Sequence, residues 1–535
     1  MHSFKKLMAT VAMAMAVFIP SFAQNPYLPL WEHIPDGEPY VFEDPDCPGK
    51  QRVYIYGSHD SLIEWYCGRE LVVWSAPVDD LSNWRYDGII FQSTHGRDGR
   101  PLNYDYKADV LYAPDIATVK EADGTTTYYL YPNNQNGGRQ NMVCKSKRPD
   151  GPCEVCNWSS EKPNETVGCF AFDPACFVDD DGRVYGYWGF GNVHAAELDP
   201  NTMASIKPGT EEIVDMINGM DQEGVFKFFE ASSIRKIKDK YVFIYSRMMP
   251  AEEGGLPYRS NYTLAYCYSD NPLGPWTYGG TLIDGRAIEP DENGKLTYKA
   301  YPSGNTHGSI CEINGKWWVF YHRQTGTNEF SRQATVAPIE VKVQEGKGGK
   351  VEISQGEFNS MGFKTEGLNP YDKTPAGWAC YFTGPEGAYG DFPNFHFSGP
   401  YIKASYFDPK SYEGPFNQKI AFAPMVNNTA GSTFGYRYFN FDEVAGKKGV
   451  ELVCDIVPEG VEGDVTILVG SPYLSKGAVK VGGFKVGKEN AGQMTQVKTD
   501  IKIPANLKGK QGLYFVFDSP EKGKSICEVH SFQFK

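Results

Sequence analysis

Apolar and polar positions alternate in short runs along this chain, and the runs end at Gly, Pro, Asn or Asp. The stretch FFEASSIRKIKDKYVFIYS, residues 228 to 246, shows the pattern. It predicts two short strands joined by a turn at Lys238 to Lys240, the second of them, Tyr241 to Tyr245, apolar enough to be buried. One residue breaks the pattern. Glu230 opens the first strand directly behind two phenylalanines, and a carboxylate buried without a partner is costly.

The unit recurs: a polar residue, an apolar strand, a Gly or Asp turn, then a strand rich in Tyr and Trp. It appears at 36–57 (DGEPYVFEDPDCPGKQRVYIYG), 115–131 (DIATVKEADGTTTYYLY), 173–188 (DPACFVDDDGRVYGYW) and 307–321 (HGSICEINGKWWVFY). Five hairpins at intervals of roughly 57 to 79 residues predict a five-bladed β-propeller, each blade one four-stranded antiparallel sheet. The repeats open on Asp36, Asp115, Asp173, Glu230 and His307. Innermost strands line a propeller's axis, so equivalent ends of those strands meet at one cavity. A single Asp before a strand reads as a turn or cap residue. Five polar openings in phase, four of them carboxylates, read as convergence.

Composition agrees with an all-β class. The chain has 535 residues, enough for two or three domains. Aromatics make up 14% of it, with 57 Gly and 36 Pro. Most of the aromatics are explained as strand residues, although flat amphipathic rings also suit sugar faces. The formal net charge of −14 argues against nucleic acid or an anionic membrane as partner and is compatible with a neutral substrate. Residues 1–23 read as a cleavable signal peptide: Lys5 and Lys6, an apolar run from Leu7 to Phe18, then Ser21-Phe22-Ala23 before Gln24. The run is too short to span a membrane, and no other candidate span follows. The expected location is secreted or periplasmic. Twelve cysteines are thinly spread. Export favours a disulfide among Cys144, Cys153, Cys156 and Cys169 over zinc at the lone Cys153-x-x-Cys156, while Cys176, Cys267 and Cys311 read as core residues.

Two carboxyl groups across a glycosidic bond suffice for hydrolysis, one protonating the leaving oxygen and the other activating water or attacking the sugar. Glu230 suits the acid, because an apolar setting disfavours its ionised form. The residues alone leave the base open, since Glu32, Glu38, Asp44 and Asp60 also lie near the first repeat.

IPDGEPYVF followed by RVYIYGSHD, LYAPDI, AFDPACFVDDDGRVYGYWG, FFEASSIRKI and GNTHGSI resemble the motifs of glycoside hydrolase family 43, over roughly residues 26 to 345. The resemblance implies a five-bladed propeller that hydrolyses arabinofuranosides and xylosides with inversion. It implies Asp36 as general base, Asp115 as the residue that orients the acid and adjusts its pKa, and Glu230 as general acid. Arg332 in FSRQATVAPI matches an arginine that reaches the substrate, with a plain surface arginine as the other reading. His59, Asp60 and Trp188 are expected to line the pocket. His307 matches the axial histidine. The chemistry needs no cofactor, and the resemblance admits a structural calcium near His307; a hydrogen-bonded core histidine is the competing reading, since calcium prefers several oxygens. Asp179-Asp180-Asp181-Gly182 reads as a hairpin turn rather than an EF-hand fragment. Two departures touch the site: Pro35-Asp36-Gly37 where many relatives have Asp-Pro, and Glu230-Ala231 where many have Glu-Gly.

The propeller pattern stops near Glu340, placing the catalytic domain at 24–345. Residues 346–535 resemble carbohydrate-binding module family 6, a β-sandwich of jelly-roll type. Its Phe439-containing strand and its last strand are expected in the core, and its part is either glycan binding or packing against the propeller. The reading is an exported, inverting exo-glycosidase that acts on an oligosaccharide or polysaccharide side chain. The favoured activity is α-L-arabinofuranosidase, ahead of β-D-xylosidase, exo-galactanase and β-galactofuranosidase. The rivals are a non-catalytic glycan-binding protein and a retaining fructan hydrolase.

Overall fold

The computed structural model describes residues 23–61, 65–93, 97, 109–135, 138–254, 259–301, 304–327, 329–385, 388–389, 396–404 and 423–535. The expected signal peptide, residues 1–23, lies outside them except for Ala23. The hairpin at 228–246 forms as Phe228–Ile237 and Lys240–Arg247, turning through Lys238 at φ 57°. Every residue of Lys240–Arg247 is buried, because a second strand is covered on both edges by neighbours and on both faces by adjacent blades.

Four sheets repeat this arrangement with four antiparallel strands each. The first blade runs through Glu38–Glu43, Gln51–Tyr56, Glu70–Pro77 and Arg85–Gln92. The second comprises Asp115–Lys120, Thr126–Tyr131, Cys144–Ser146 and Glu154–Val155. The third comprises Ala175–Val178, Val184–Trp188, His194–Leu198 and Ile213–Val214, its first turn closed by the Gly182 N–H donating to the Asp179 carbonyl at 2.9 Å. The 179–182 run is therefore a hairpin turn. The fourth adds Thr263–Ser269 and Thr277–Asp284 to the hairpin already described.

The fifth blade has three strands, Ser309–Ile313, Lys316–Gln324 and Arg332–Ile339. Its free edge is met by the segment before the first blade. The Asn25 side chain donates to the Val336 carbonyl at 2.7 Å and accepts from the Val336 N–H at 2.9 Å, and the Tyr27 N–H reaches the Ala334 carbonyl at 3.4 Å. The start of the chain thus closes the ring. The five inner strands pack around the axis. Among the described residues no helix is long and apolar enough to cross a membrane.

Beyond the ribbon Val341–Val343 and Val351–Ile353, which straddles the expected boundary at 345, lies a β-sandwich of a six-stranded and a five-stranded sheet. Phe439 and the last strand, Cys527–Phe534, do lie in its core: Phe439 packs 5.8 Å from Phe532. The sandwich shares one apolar cluster with the propeller. Val242, Ile244, Val319 and Tyr321 of the fourth and fifth blades belong to the same cluster as Phe434, Phe515 and Phe532. Buried Arg323 donates to the Ala379 and Gly377 carbonyls, and Arg437 grips Glu289 with two nitrogens.

All twelve cysteines are free thiols. The expected disulfide does not form, because the sulfurs point to separate partners. Cys144 faces Val155 in the strand register, Cys156 Sγ donates to the Val143 carbonyl and Cys169 Sγ to the Ala204 carbonyl.

Candidate active site

All five blades wall a cavity of about 530 Å³ at one mouth of the axis, within the range of small-ligand sites. Asp36, Asp173, Glu230 and His307 line it, together with Arg332 and Asn305. Four of the five repeat-opening residues thus converge. The fifth, Asp115, does not.

The reason is one pleat. Asp36, Asp173 and His307 each stand two residues before their inner strand, whereas Asp115 is the first residue of its own. Side chains two apart along a strand share a face, one step along the axis. The second-blade residue at the cavity's level is Ala113, which lines it. Asp115 lies deeper, accepting from the Tyr40 hydroxyl at 2.7 Å and the Cys176 N–H at 2.8 Å. Its neighbours there are Glu38 and Arg235, which pair at 2.7 Å. Burial, with Glu38 nearby, pushes the Asp115 carboxyl up to about 7. The like charge beside Glu230 comes instead from Asp173.

Glu230 is buried, and one of its oxygens accepts from Asn305 Nδ2 at 2.9 Å. A bulge interrupts the strand pairing after it, and Ala231 takes φ 71°. That left-handed backbone costs an L-residue energy and is free for Gly, which gives the Glu-Gly of relatives a physical reason. The bend aims the Ala231 N–H at Asp173 Oδ2, 3.0 Å away. Burial first, then the charge of Asp173, raises the Glu230 carboxyl to about 8. Asp173, itself at φ 47°, accepts from Asn133 Nδ2 at 2.8 Å. Strained backbone at three site positions, Asp36 among them at φ 60°, is where structures store strain for function.

Asp36 meets the opposite field. Burial would raise its carboxyl, but the Arg332 guanidinium, with His307 and the Ser58 hydroxyl, overrides that and holds it below the usual range. Arg332 Nη1 lies 3.1 Å from Oδ1, and the Ser58 hydroxyl donates to Oδ2 at 2.5 Å. The Asp36 N–H donates to His322 Nδ1 at 3.2 Å, and His322 Nε2 donates to the Asn305 carbonyl at 2.8 Å. Burial pushes His322 down to about 3, so it is neutral, with its proton on Nε2.

Arg332 is 1% exposed, which excludes the surface-arginine reading. Asp60 holds it through Nε at 3.0 Å, Nη2 at 2.9 Å and its main-chain N–H at 2.9 Å. Asp60 therefore positions Arg332 from behind and does not line the cavity. His59 points away as well, pairing with Glu32 at 3.1 Å and Glu70 at 3.4 Å. Trp188 is a core residue, edge-on to Phe170 at 5.5 Å and stacked on His194, because its strand position faces the gap between blades rather than the axis.

His307 sits at the floor with Asp173 and Glu38 each 3.7 Å away. Burial alone would lower it, and these carboxylates reverse the effect, raising it to about 9. Among the described residues no group of three or more His, Cys, Asp or Glu side chains is placed to hold a metal ion. Glu38 is already paired with Arg235, and Asp173 with Asn133 and the Ala231 N–H. The set does not fit the multi-oxygen cage that calcium prefers, and no chemical step is assigned to a metal.

Asn305, Ser58, His322 and the role of Asp173 were not read from the sequence. The first two stand inside quoted motifs, GNTHGSI and YGSHD. Asp173 shares with Asp36 and His307 the two-residue lead before its strand. His322 carries no local signal, since it belongs to an apolar second strand.

A model described as Glycosyl hydrolases family 43 matches residues 41–345. The chain is 34% identical over 438 residues to a Xylosidase/arabinosidase of Thermoclostridium stercorarium, covering 78% of this chain and 82% of that protein. It is 26% identical over 365 residues to an Arabinoxylan arabinofuranohydrolase of Paenibacillus polymyxa, covering 64% and 52%. A Beta-xylosidase of Xylanibacter ruminicola is 27% identical over 338 residues, 54% of this chain and 90% of that one. Among solved structures, the Bacillus subtilis family 43 arabinoxylan arabinofuranohydrolase in complex with cellotetraose is 21% identical and covers 96% of this chain and 97% of its own, at TM-score 0.43.

Proposed function

Since the chain belongs to glycosyl hydrolases family 43, we propose that its cavity removes a terminal pentose by inversion, with Glu230 as general acid, Asp36 as general base and Asp173 adjusting the acid. The reading includes export from the cell, supported by the N-terminal pattern. As the glycosidic bond breaks, Glu230 gives its proton to the departing oxygen. Water attacks the anomeric carbon from the opposite side and loses its proton to Asp36. Arg332 and Ser58 keep Asp36 ionised for that task, and Asn305 links Glu230 to Arg332, donating to Glu230 and accepting from Arg332 Nη1 at 3.4 Å.

One observation carries the reading. Two carboxyl groups in one cavity are driven in opposite directions, one kept protonated near neutrality and the other kept ionised, the arrangement that assigns acid and base. The favoured substrate is an α-L-arabinofuranoside on a plant polysaccharide or oligosaccharide side chain. A β-D-xyloside is the second reading, favoured by relatives named for both activities. A panel of 4-nitrophenyl glycosides, with the first-formed anomer followed by NMR, tests both. Release of an inverted pentose is expected. Glu230→Gln loses most activity on poor leaving groups, whereas Asp36→Asn loses it on all. Equal losses on an activated aryl glycoside overturn the assignment of the acid.

A further inference from the structure

One wall of the cavity is built from three phenylalanines. Phe172, Phe190 and Phe229 form a cluster in which Phe190 lies 5.0 Å from each of the other two rings, and all three line the cavity. Phe190 is nevertheless 52% exposed, so part of its ring stays open to the cavity. The backbone holds it there by construction. Gly189 and Gly191 flank it at φ 144° and 74°, and a Cβ on Gly189 would meet the Asn192 carbonyl oxygen at 2.0 Å. The Gly191 N–H donates to the Phe229 carbonyl at 2.6 Å, which ties this turn to the strand carrying Glu230.

The wall's place in the reaction follows from its neighbour. Phe229 directly precedes Glu230, while Asp36 stands with Arg332, whose guanidinium lies over the Tyr66 ring at 5.1 Å. In an inverting displacement the leaving group departs toward the acid and away from the base. We propose that the Phe190 wall seats the leaving-group sugar, a neutral ring of the polysaccharide backbone stacked on Phe190, so that the protein prefers decorated neutral chains to small glycosides. This rests on Glu230 being the proton donor. The cluster offers ring faces and no charge, and the protein's net charge of −14 disfavours a uronate-rich chain. The wall reads a ring face rather than a hydroxyl pattern, so it tolerates different backbone sugars.

The test compares a substrate whose leaving group is a sugar with one whose leaving group has no ring. The probes are an arabinofuranosylated xylo-oligosaccharide and α-L-arabinofuranosyl fluoride. If the wild type prefers xylosides, xylotriose and β-D-xylosyl fluoride take their place. In Phe190→Ala the ratio of kcat/KM for oligosaccharide over fluoride falls roughly tenfold, the scale of a lost aromatic stack and its buried area. In Phe190→Trp the ratio is retained. Phe190→Leu keeps an apolar body against Phe172 and Phe229 and shows the same fall, so the result does not depend on the Ala variant folding. A ratio within about twofold of wild type in both the Ala and Leu variants overturns the inference while leaving the hydrolase reading intact. A wild type that hydrolyses neither probe overturns the hydrolase reading itself.

Discussion

Glu230 and Asp36 carry the same functional group and differ in what surrounds it. Burial acts on both and raises both. At Asp36 a buried guanidinium 3.1 Å away reverses the sign, while at Glu230 the nearby charge is Asp173, which adds to the burial. The acid must be protonated to work, so activity is expected to fall as pH rises through about 8, and to persist on the acid side until Asp36 takes up a proton below the usual carboxylate range. Asp173→Asn removes the like charge and keeps one acceptor oxygen, enough for either the Asn133 side chain or the Ala231 N–H, which bond separate oxygens of Asp173. The Glu230 pKa then drops, and the alkaline limb of kcat/KM moves to lower pH by roughly one unit. A limb that stays in place would mean another group sets it. None of this could be read from Asp173 alone, because the field at Glu230 sums Asp173, Asn305, His307 and Asp36, drawn from the third, fifth and first blades.

At the scale of elements, the closure of the ring hangs on a short segment. Asn25 makes two hydrogen bonds with Val336 and donates to the Asn359 carbonyl at 2.9 Å. Asn25→Ala leaves the buried Val336 N–H without its acceptor and is expected to cost about 2–4 kcal/mol, from an unsatisfied donor plus lost bonds. Denaturant titration measures it, and a loss under about 0.5 kcal/mol would show that the fifth blade does not depend on this closure. The hairpins themselves were legible, because apolar alternation and Gly or Asp turns are local signals. The register at the axis was not. Asp115 and Asp36 look equivalent in sequence, each opening a repeat, but a two-residue offset puts Asp115 one pleat below the cavity, beside Tyr40 and Cys176. Trp188 failed similarly: at the end of its second strand it packs into the apolar cluster between the second and third blades, with Tyr131 and Phe170.

At the scale of the whole molecule, propeller and sandwich share one apolar cluster, crossed by Arg323, the Arg437–Glu289 pair and the Lys299 ammonium 2.8 Å from the Tyr473 hydroxyl. A contact that buries core residues from both sides couples their unfolding. Calorimetry of the full chain is expected to show one transition. Two transitions separated by more than about 10 °C would show independent domains. Of the two parts the sequence left open for the sandwich, packing against the propeller has a concrete basis in this interface.

By itself the sequence determined the strands, the fivefold recurrence and the family motifs, because each depends on residues close together in the chain. Tertiary structure decided which polar residue faces the cavity and which charge each carboxyl group feels. Those depend on distances between side chains from different blades, and chain spacing does not encode them.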